Sequence, residues 1–162
     1  MTGFKRLIPI GLALLLAMCS LTSLADERFK DNGDGTVTDS QLNLMWLKTD
    51  NQGDIGWLDG LRWVKYNVFY LLPENKYDDW RLPTISELKS LYVDNQTVEG
   101  VEADCGMTVR IIPQISLSCG WVWSSESSKI SATVFTFREG YQFSDLKMHK
   151  KAHRVLAVRD IK

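Results

Sequence analysis

Residues 77–88 constrain the fold of this chain more than any other stretch of its sequence. Pro83 fixes its own φ angle and disfavours helical geometry at the residue before it, so the chain must arrive here extended. Thr84 and Glu87 have the spacing of a capping box, in which each side chain accepts a hydrogen bond from the other residue's backbone amide. We therefore predict that this stretch, the signature segment, forms an extended approach, a turn and a short helix ending near Tyr92.

The other polar and aromatic residues of the signature segment are predicted to be structural. Trp80 is expected in the core, because most tryptophans in a domain of this size are buried. Asp79 is expected to cap a turn and to form an ion pair with Arg81 or Arg159. Three further tryptophans are expected in the core: Trp46, Trp63 and Trp123.

The first 25 residues have the pattern of a signal peptide. Two basic residues precede an apolar run over residues 7–18, and small residues follow at Ser23 and Ala25. The run is shorter than the roughly 20 apolar residues of a membrane-spanning helix. We therefore expect residues 26–162 to form one exported domain, periplasmic or extracellular. Lipid attachment at Cys19 is the less favoured alternative, because a methionine precedes it where a small residue is normally required.

The charge of the chain argues against a nucleic-acid partner. The full sequence has 19 Lys and Arg residues against 20 Asp and Glu residues, a net charge of -1 with histidine neutral. The predicted leader holds two of the basic residues and no acidic one, so residues 26–162 carry a net charge of -3. Binding to a polyanion would therefore have to come from a local basic patch.

Cys105 and Cys119 are predicted to form a disulfide bond. They are the two cysteines that remain after the leader, and the predicted compartment is oxidising. Closing a loop of about 15 residues would stabilise the fold by roughly 3 kcal/mol. A metal-binding or nucleophilic pair is the alternative, disfavoured because neither a Cys-x-x-Cys spacing nor a matching histidine accompanies the two residues.

The remaining pattern predicts an α+β fold. Two helices, over residues 56–71 and 84–92, precede a run of strands, and this order fits α+β better than an alternating parallel design. Gly60 weakens the first helix by about 1 kcal/mol relative to alanine. The last four strands are expected to form an antiparallel meander. The predicted strands cover residues 28–30, 36–38, 44–47, 121–124, 132–137, 141–143 and 155–158.

The turn between the first two strands, residues 31–35, has an alternative interpretation as a calcium loop. An EF-hand needs oxygen ligands at its first, third and fifth positions and glycine at its sixth. If Gly35 is the sixth position, the first position is Lys30, which has no side-chain oxygen. If Asp31 is the first position, the third is Gly33, which has no side chain. Neither alignment gives a calcium loop. The sequence favours a tight hairpin turn.

Residues 93–120 show no regular pattern and are predicted to form a long binding loop tethered by the disulfide bond. Long irregular segments in a compact domain tend to be functional. The second candidate region is a basic cluster on a later loop, whose cations would contact sulfate or carboxylate groups. Its candidate ligand-binding residues are Lys147, Lys150, Lys151 and Arg154.

Two alternatives compete with ligand binding by this basic cluster. One is a solvated loop without a ligand. The other is a metal site formed by His149 and His153, disfavoured because a spacing of four residues would align them only on a helix. Trp121 and Tyr141 complete the candidate site as a platform for sugar rings, although Trp121 is equally compatible with the core.

No catalytic constellation stands out in the sequence. It contains no glycine-rich phosphate loop, no nucleophile elbow and no histidine with an evident partner. We therefore expect a protein that is not an enzyme and needs neither a cofactor nor a metal ion.

Five motifs stand in order along the sequence, at residues 28–39, 44–46, 78–88, 123–125 and 155–159. Together they resemble a known family, the C-terminal domain family of the Legionella collagen-like adhesin. The resemblance implies a C-type-lectin-like form of the α+β fold, with two helices packed on a twisted antiparallel sheet beside a long loop region. It also implies an exported binding module for a glycan, a sulfated polymer or a surface protein. A structural or assembly role through protein contacts is the alternative.

Overall fold

The computed structural model describes residues 28–72, 77–94 and 99–162, and in this part the predicted α+β class is confirmed. The predicted leader lies outside the described residues, so cleavage after Ala25 stays a prediction, as does the C-type-lectin-like arrangement. The helices are α1 (Trp57–Tyr66), α2 (Val68–Leu71) and α3 (Ile85–Ser90). The strands are β1 (Phe29–Asp31), β2 (Thr36–Asp39), β3 (Leu44–Leu47), β4 (Val101–Glu102), β5 (Thr108–Val109), β6 (Trp121–Ser127), β7 (Ser131–Thr136), β8 (Tyr141–Leu146), β9 (His153–Arg154) and β10 (Val158–Asp160).

The first sheet has the strand order β1-β2-β3-β10, and all its neighbours are antiparallel. The predicted hairpin between β1 and β2 is confirmed. Gly33 and Gly35 have φ angles of 77° and 88°, a conformation that residues with a Cβ atom rarely adopt. Asp34 Oδ1 accepts hydrogen bonds from the backbone and the hydroxyl of Thr36 within this turn.

The second sheet has the order β8-β7-β6-β9, in which β6 and β9 are parallel and the other pairs are antiparallel. The predicted meander is therefore correct for β6, β7 and β8. Its fourth strand was wrong, because β9 returns to β6 in parallel and β10 pairs with β3 of the first sheet. Residues 155–157, predicted as strand, are the fully buried crossover between the two sheets.

The first predicted helix is divided into α1 and α2 at Asn67. The Tyr70 amide donates to the carbonyl of Asn67, three residues back, so the chain tightens where a regular helix would bond four residues back. α1 buries Trp57, Gly60 and Val64. Within the described ranges, no helix has the length and apolar content needed to cross a membrane.

The signature segment has the predicted local structure. Thr84 caps α3, its hydroxyl oxygen lies 3.2 Å from the Glu87 amide, and the Glu87 carboxylate accepts from the Thr84 amide at 2.7 Å. Pro83 and Trp80 are buried, and Arg81 holds both carboxylate oxygens of Glu87 at 2.9 Å. The guanidinium of Arg81 therefore fixes the residue that completes the cap.

The predicted ion pair of Asp79 forms with Arg159 on β10. Nε and Nη2 of Arg159 lie 2.6 and 3.2 Å from the two oxygens of Asp79, and the guanidinium also stacks on the ring of Tyr77. The Arg159 guanidinium holds the pKa of Asp79 below its usual range. Trp46 and Trp123 are fully buried as predicted, whereas Trp63 is half-buried at the edge of the core.

Candidate ligand-binding site

The predicted basic cluster lies on a loop with fixed geometry, the basic loop, residues 147–152 between β8 and β9. The amide of Lys147 donates to the Ile130 carbonyl and its carbonyl accepts from the Trp57 amide, both at 3.0 Å. Ala152, which has a φ angle of 64°, donates its amide to Asp54 Oδ1 at 3.0 Å. These bonds tie the loop to the turn before β7 and to the approach to α1.

The three lysines of the basic loop have different surroundings. Lys147 donates to the Ser128 carbonyl at 2.7 Å, and its ammonium lies 4.3 Å from the centre of the Trp57 ring. Lys150 forms an exposed ion pair with Asp59 at 3.1 Å. Lys151 is exposed and contacts no carboxylate in the described part of the chain. Lys151 is therefore the most available cation of the loop.

Arg154 does not lie with the lysines at the surface and does not line the cavity described below. Only 7 % of the side chain is exposed, and Nη1 lies 2.7 Å from Asp54 Oδ1. Its Nε donates to Ser118 Oγ at 2.6 Å. Asp54 and Ser118 together hold the guanidinium, so Arg154 has a structural role in the site.

Ser118 connects Arg154 to a buried carboxylate that the sequence did not reveal. The amide of Ser118 donates to Asp50 Oδ2 at 2.7 Å, and its hydroxyl lies 2.9 Å from Oδ1. Burial raises the pKa of Asp50, although these hydrogen bonds and the nearby Arg154 guanidinium act in the opposite direction. This network joins the disulfide-tethered segment to β9 and the loop before α1.

The two histidines of the cluster meet at one carboxylate. His149 Nδ1 lies 2.6 Å from Asp145 Oδ1, and His153 Nε2 lies 3.1 Å from Asp145 Oδ2. The two rings converge without a helix, because the basic loop turns back onto the end of β8. No group of His, Cys, Asp and Glu side chains in the described ranges has an arrangement that could hold a metal ion.

Aromatic rings form a continuous row beside this carboxylate. The ring of Phe143 contacts both Trp121 and Tyr141, with centroid distances of 5.5 and 6.2 Å. Trp121 contacts His153 at 5.4 Å, and His153 stacks on Trp123 at 4.4 Å. The row is buried at Trp123, half-buried at Trp121 and exposed at Tyr141. It therefore runs from the core to the surface of the second sheet.

A cavity of about 490 Å³ brings together three of the predicted site residues, Trp121, Lys150 and Lys151. Met107, from the segment between the two cysteines, forms part of its wall, so the disulfide-tethered segment and the basic loop meet here. Tyr141 does not line the cavity, although its ring contacts Phe143, which in turn contacts Trp121. Lys147 lines a different groove on the other side of the basic loop.

Comparison with known proteins agrees with the motifs and the fold. The sequence model of the Lcl C-terminal domain family matches residues 35–159. The chain belongs to the Lcl C-terminal domain family. This family is associated with adhesins and indicates an adhesin-like module of the cell surface. A search of the curated proteins finds no match to the chain.

The predicted disulfide bond of this Lcl C-terminal domain is confirmed. Cys105 and Cys119 are bonded, with their Cα atoms 5.4 Å apart. Together with the family assignment, the bond indicates an exported protein. The described part of residues 93–120 is more ordered than predicted, since β4 and β5 pair and Val109, Ile112 and Ile115 are buried.

Proposed function

We propose that this Lcl C-terminal domain is an exported, non-enzymatic binding module that recognises a polyanionic glycan through its basic loop. The ligand contacts Lys150 and Lys151, with Lys147 and Tyr141 at the margins. Residues 1–25 are removed on export. The meeting of Trp121 with Lys150 and Lys151 around one cavity is the observation that supports this function best.

The chemistry of that cavity suits a sulfated or carboxylated sugar. The half-buried ring of Trp121 offers apolar surface to one face of a sugar ring. The ammonium group of Lys151 can then contact a sulfate or carboxylate group of the sugar by a charge-assisted hydrogen bond, and Lys150 can join it by exchanging Asp59 for the ligand. Asp145 also lines the cavity, with its carboxylate 2.6 Å from His149 Nδ1. The fixed backbone of the basic loop reduces the entropy lost on binding, because its conformation is already set by its hydrogen bonds.

Retention on a heparin column tests this proposal. We expect the Lys147→Ala/Lys150→Ala/Lys151→Ala variant to elute at distinctly lower salt than the unmodified domain, because fewer cations face the polymer. Tyr141→Ala is expected to lower the elution salt by a smaller amount, since its exposed ring lies at the end of the aromatic row.

A second triple variant separates a specific site from general charge. Lys30, Lys65 and Lys89 are exposed lysines on β1, α1 and α3, and none of them lines the cavity. Their replacement by alanine removes the same charge and should leave the elution salt close to that of the unmodified domain. Equal elution of the two triple variants would contradict the proposal.

Recognition of a surface protein is the second candidate function. It is favoured by two exposed aliphatic side chains, Met148 in the basic loop and Ile130 in the turn before β7. Contiguous exposed apolar surface is typical of contact with another protein and offers little to a sulfated polymer.

A further inference from the structure

A groove on the far side of the basic loop exposes aliphatic side chains to solvent. It has a volume of about 730 Å³ and lies between the start of α1, the turn before β7 and the end of β8. Its apolar walls come from Leu58, Ile130, Leu146 and Met148, with exposed fractions of 55 %, 67 %, 39 % and 75 %. The lining of the groove is therefore different in chemistry from that of the cavity at Trp121.

Four cationic residues are part of the lining of the groove. They are Arg62, Lys129, Lys147 and Lys150, and the acidic lining residue is Asp59, so the groove carries a local charge of +3 in a chain of net charge -1. Asp59 is already shared by Arg62 at 3.2 Å and Lys150 at 3.1 Å. Lys129 contacts no carboxylate within the described residues. The complementary ligand is therefore apolar and carries acidic groups.

We propose that this groove binds an amphipathic helix of a partner protein, with an apolar stripe flanked by Glu and Asp residues. Aliphatic side chains at intervals of three and four residues would pack against Leu58, Ile130 and Met148. The groove is open to solvent, so a lipid chain would stay in contact with water on one side. A helix covers that opening with its own polar face.

The proposal rests on the proposed function in one respect, that the protein is a binding module. It uses a different surface, since Lys150 lines both the groove and the cavity but Trp121 and Lys151 do not line the groove. Loss of heparin retention and loss of helix binding are therefore separable by substitution.

A displayed library of helical peptides of about 18 residues, five turns, provides the probe. The apolar stripe and the flanking positions are randomised, and the library is selected against the full chain. We expect binders with Leu, Ile, Met or Phe in the stripe and Glu or Asp beside it. One such peptide is then synthesised with Glu flanks and with Lys flanks, and binding is measured by fluorescence polarisation.

Two aspartate variants locate the site. Ile130→Asp is expected to weaken binding of the Glu-flanked peptide at least about tenfold. Val101→Asp adds the same charge at an equally exposed aliphatic residue that does not line the groove and should leave binding unchanged. Circular dichroism verifies that both variants are folded.

Several results would overturn the proposal. The first is that selected peptides bind the Ile130→Asp variant as tightly as the unmodified protein. The second is that the Glu-flanked and Lys-flanked peptides bind with equal affinity. The third is that the selection yields no binding peptide. Saturable binding of sodium laurate that is lost in Ile130→Asp, with no peptide binding, would assign the groove to an anionic lipid instead. If heparin retention depends on Lys151 while peptides do not bind, only the helix proposal fails. If peptides bind at Ile130 and heparin retention is nonspecific, only the glycan function fails.

Discussion

The Nε2 atom of His153 lies 3.1 Å from Oδ2 of Asp145, but no group in the described ranges meets it with the geometry of a hydrogen bond. The other ring nitrogen, Nδ1, lies 2.8 Å from the Lys151 carbonyl oxygen, which can only accept. This assigns the proton of the neutral ring to Nδ1. Nε2 then has no proton to donate to Asp145, and a second proton would have to enter a ring that is 2 % exposed.

We predict that the domain loses stability as the pH falls below about 6.5. Burial lowers the pKa of His153 in spite of the neighbouring Asp145, so the unfolded chain takes up a proton before the folded domain does. The stabilisation that comes from His153 is complete above the pKa of this histidine in the unfolded chain. It decreases as the pH falls from that value toward the lower pKa of His153 in the folded domain. Urea denaturation at several pH values between about 7.5 and 5 measures this slope.

His153→Gln isolates the contribution of the imidazole. The pKa of Asp50 is raised by burial, so its contribution to stability increases as the pH falls, opposite to that of His153. The pH dependence of the wild-type stability therefore combines both groups. The variant should flatten the fall in stability, because the imidazole whose pKa burial lowers is no longer present. A slope that His153→Gln does not change would refute the assignment.

Reduction of the disulfide bond should destabilise the domain by roughly 3 kcal/mol, because opening a loop of this length restores conformational entropy to the unfolded chain. The difference in urea midpoint with and without dithiothreitol measures it. The Cys105→Ser/Cys119→Ser variant serves as control and should not respond to the reductant. A response of that variant would mean that dithiothreitol acts elsewhere.

Features that depend on nearby residues were predictable from the sequence. The capping box involves Thr84 and Glu87, three positions apart, and the disulfide bond follows from the cysteine count and the compartment. The ends of the strands in the last part of the chain were less predictable. A buried apolar run such as residues 155–157 reads as a strand, although it passes from one sheet to the other.

The candidate site was predictable only in part, for a physical reason. Arg154 and Lys151 are both basic residues of one cluster, but the acid that turns Arg154 inward is Asp54, 100 residues away. No local pattern carries that pairing. The groove was not predictable for the same reason, because Leu58, Ile130 and Met148 come from a helix and two turns that meet only in the folded chain.

The pair Asp79–Arg159 should contribute more to stability than a surface ion pair. Arg159 is nearly buried and makes two hydrogen bonds to the carboxylate, so Asp79→Ala leaves a charged group without its partner and should cost about 2–3 kcal/mol. A double-mutant cycle with Arg159→Met, followed by urea denaturation, gives the coupling energy.

The exposed pair Asp59–Arg62 is the control for that cycle. Both side chains are largely in solvent and three residues apart on α1, so their coupling should lie between about 0 and 1 kcal/mol. Equal coupling in the two pairs would show that burial of Arg159 does not strengthen its interaction with Asp79.

Gly60→Ala should destabilise the domain, against the usual effect of this substitution in a helix. Alanine in place of glycine normally stabilises a helix by about 1 kcal/mol. Here a Cβ atom would lie 2.6 Å from Val155 Cγ2, and Val155 is fully buried in the crossover between the sheets. A β-branched side chain has few rotamers with which to avoid the contact, so we expect a net loss of about 1–2 kcal/mol.

The reason for this loss can be tested with a second substitution. Val155→Ala removes the clashing methyl groups and by itself costs stability through the cavity it leaves. In that background, Gly60→Ala should become neutral or stabilising, because its methyl group occupies part of the space while the helix gains alanine's propensity. Four urea denaturation curves, for the parent, both single variants and the double variant, determine the sign. A Gly60→Ala variant more stable than the parent would show that α1 can move away from the crossover at little cost.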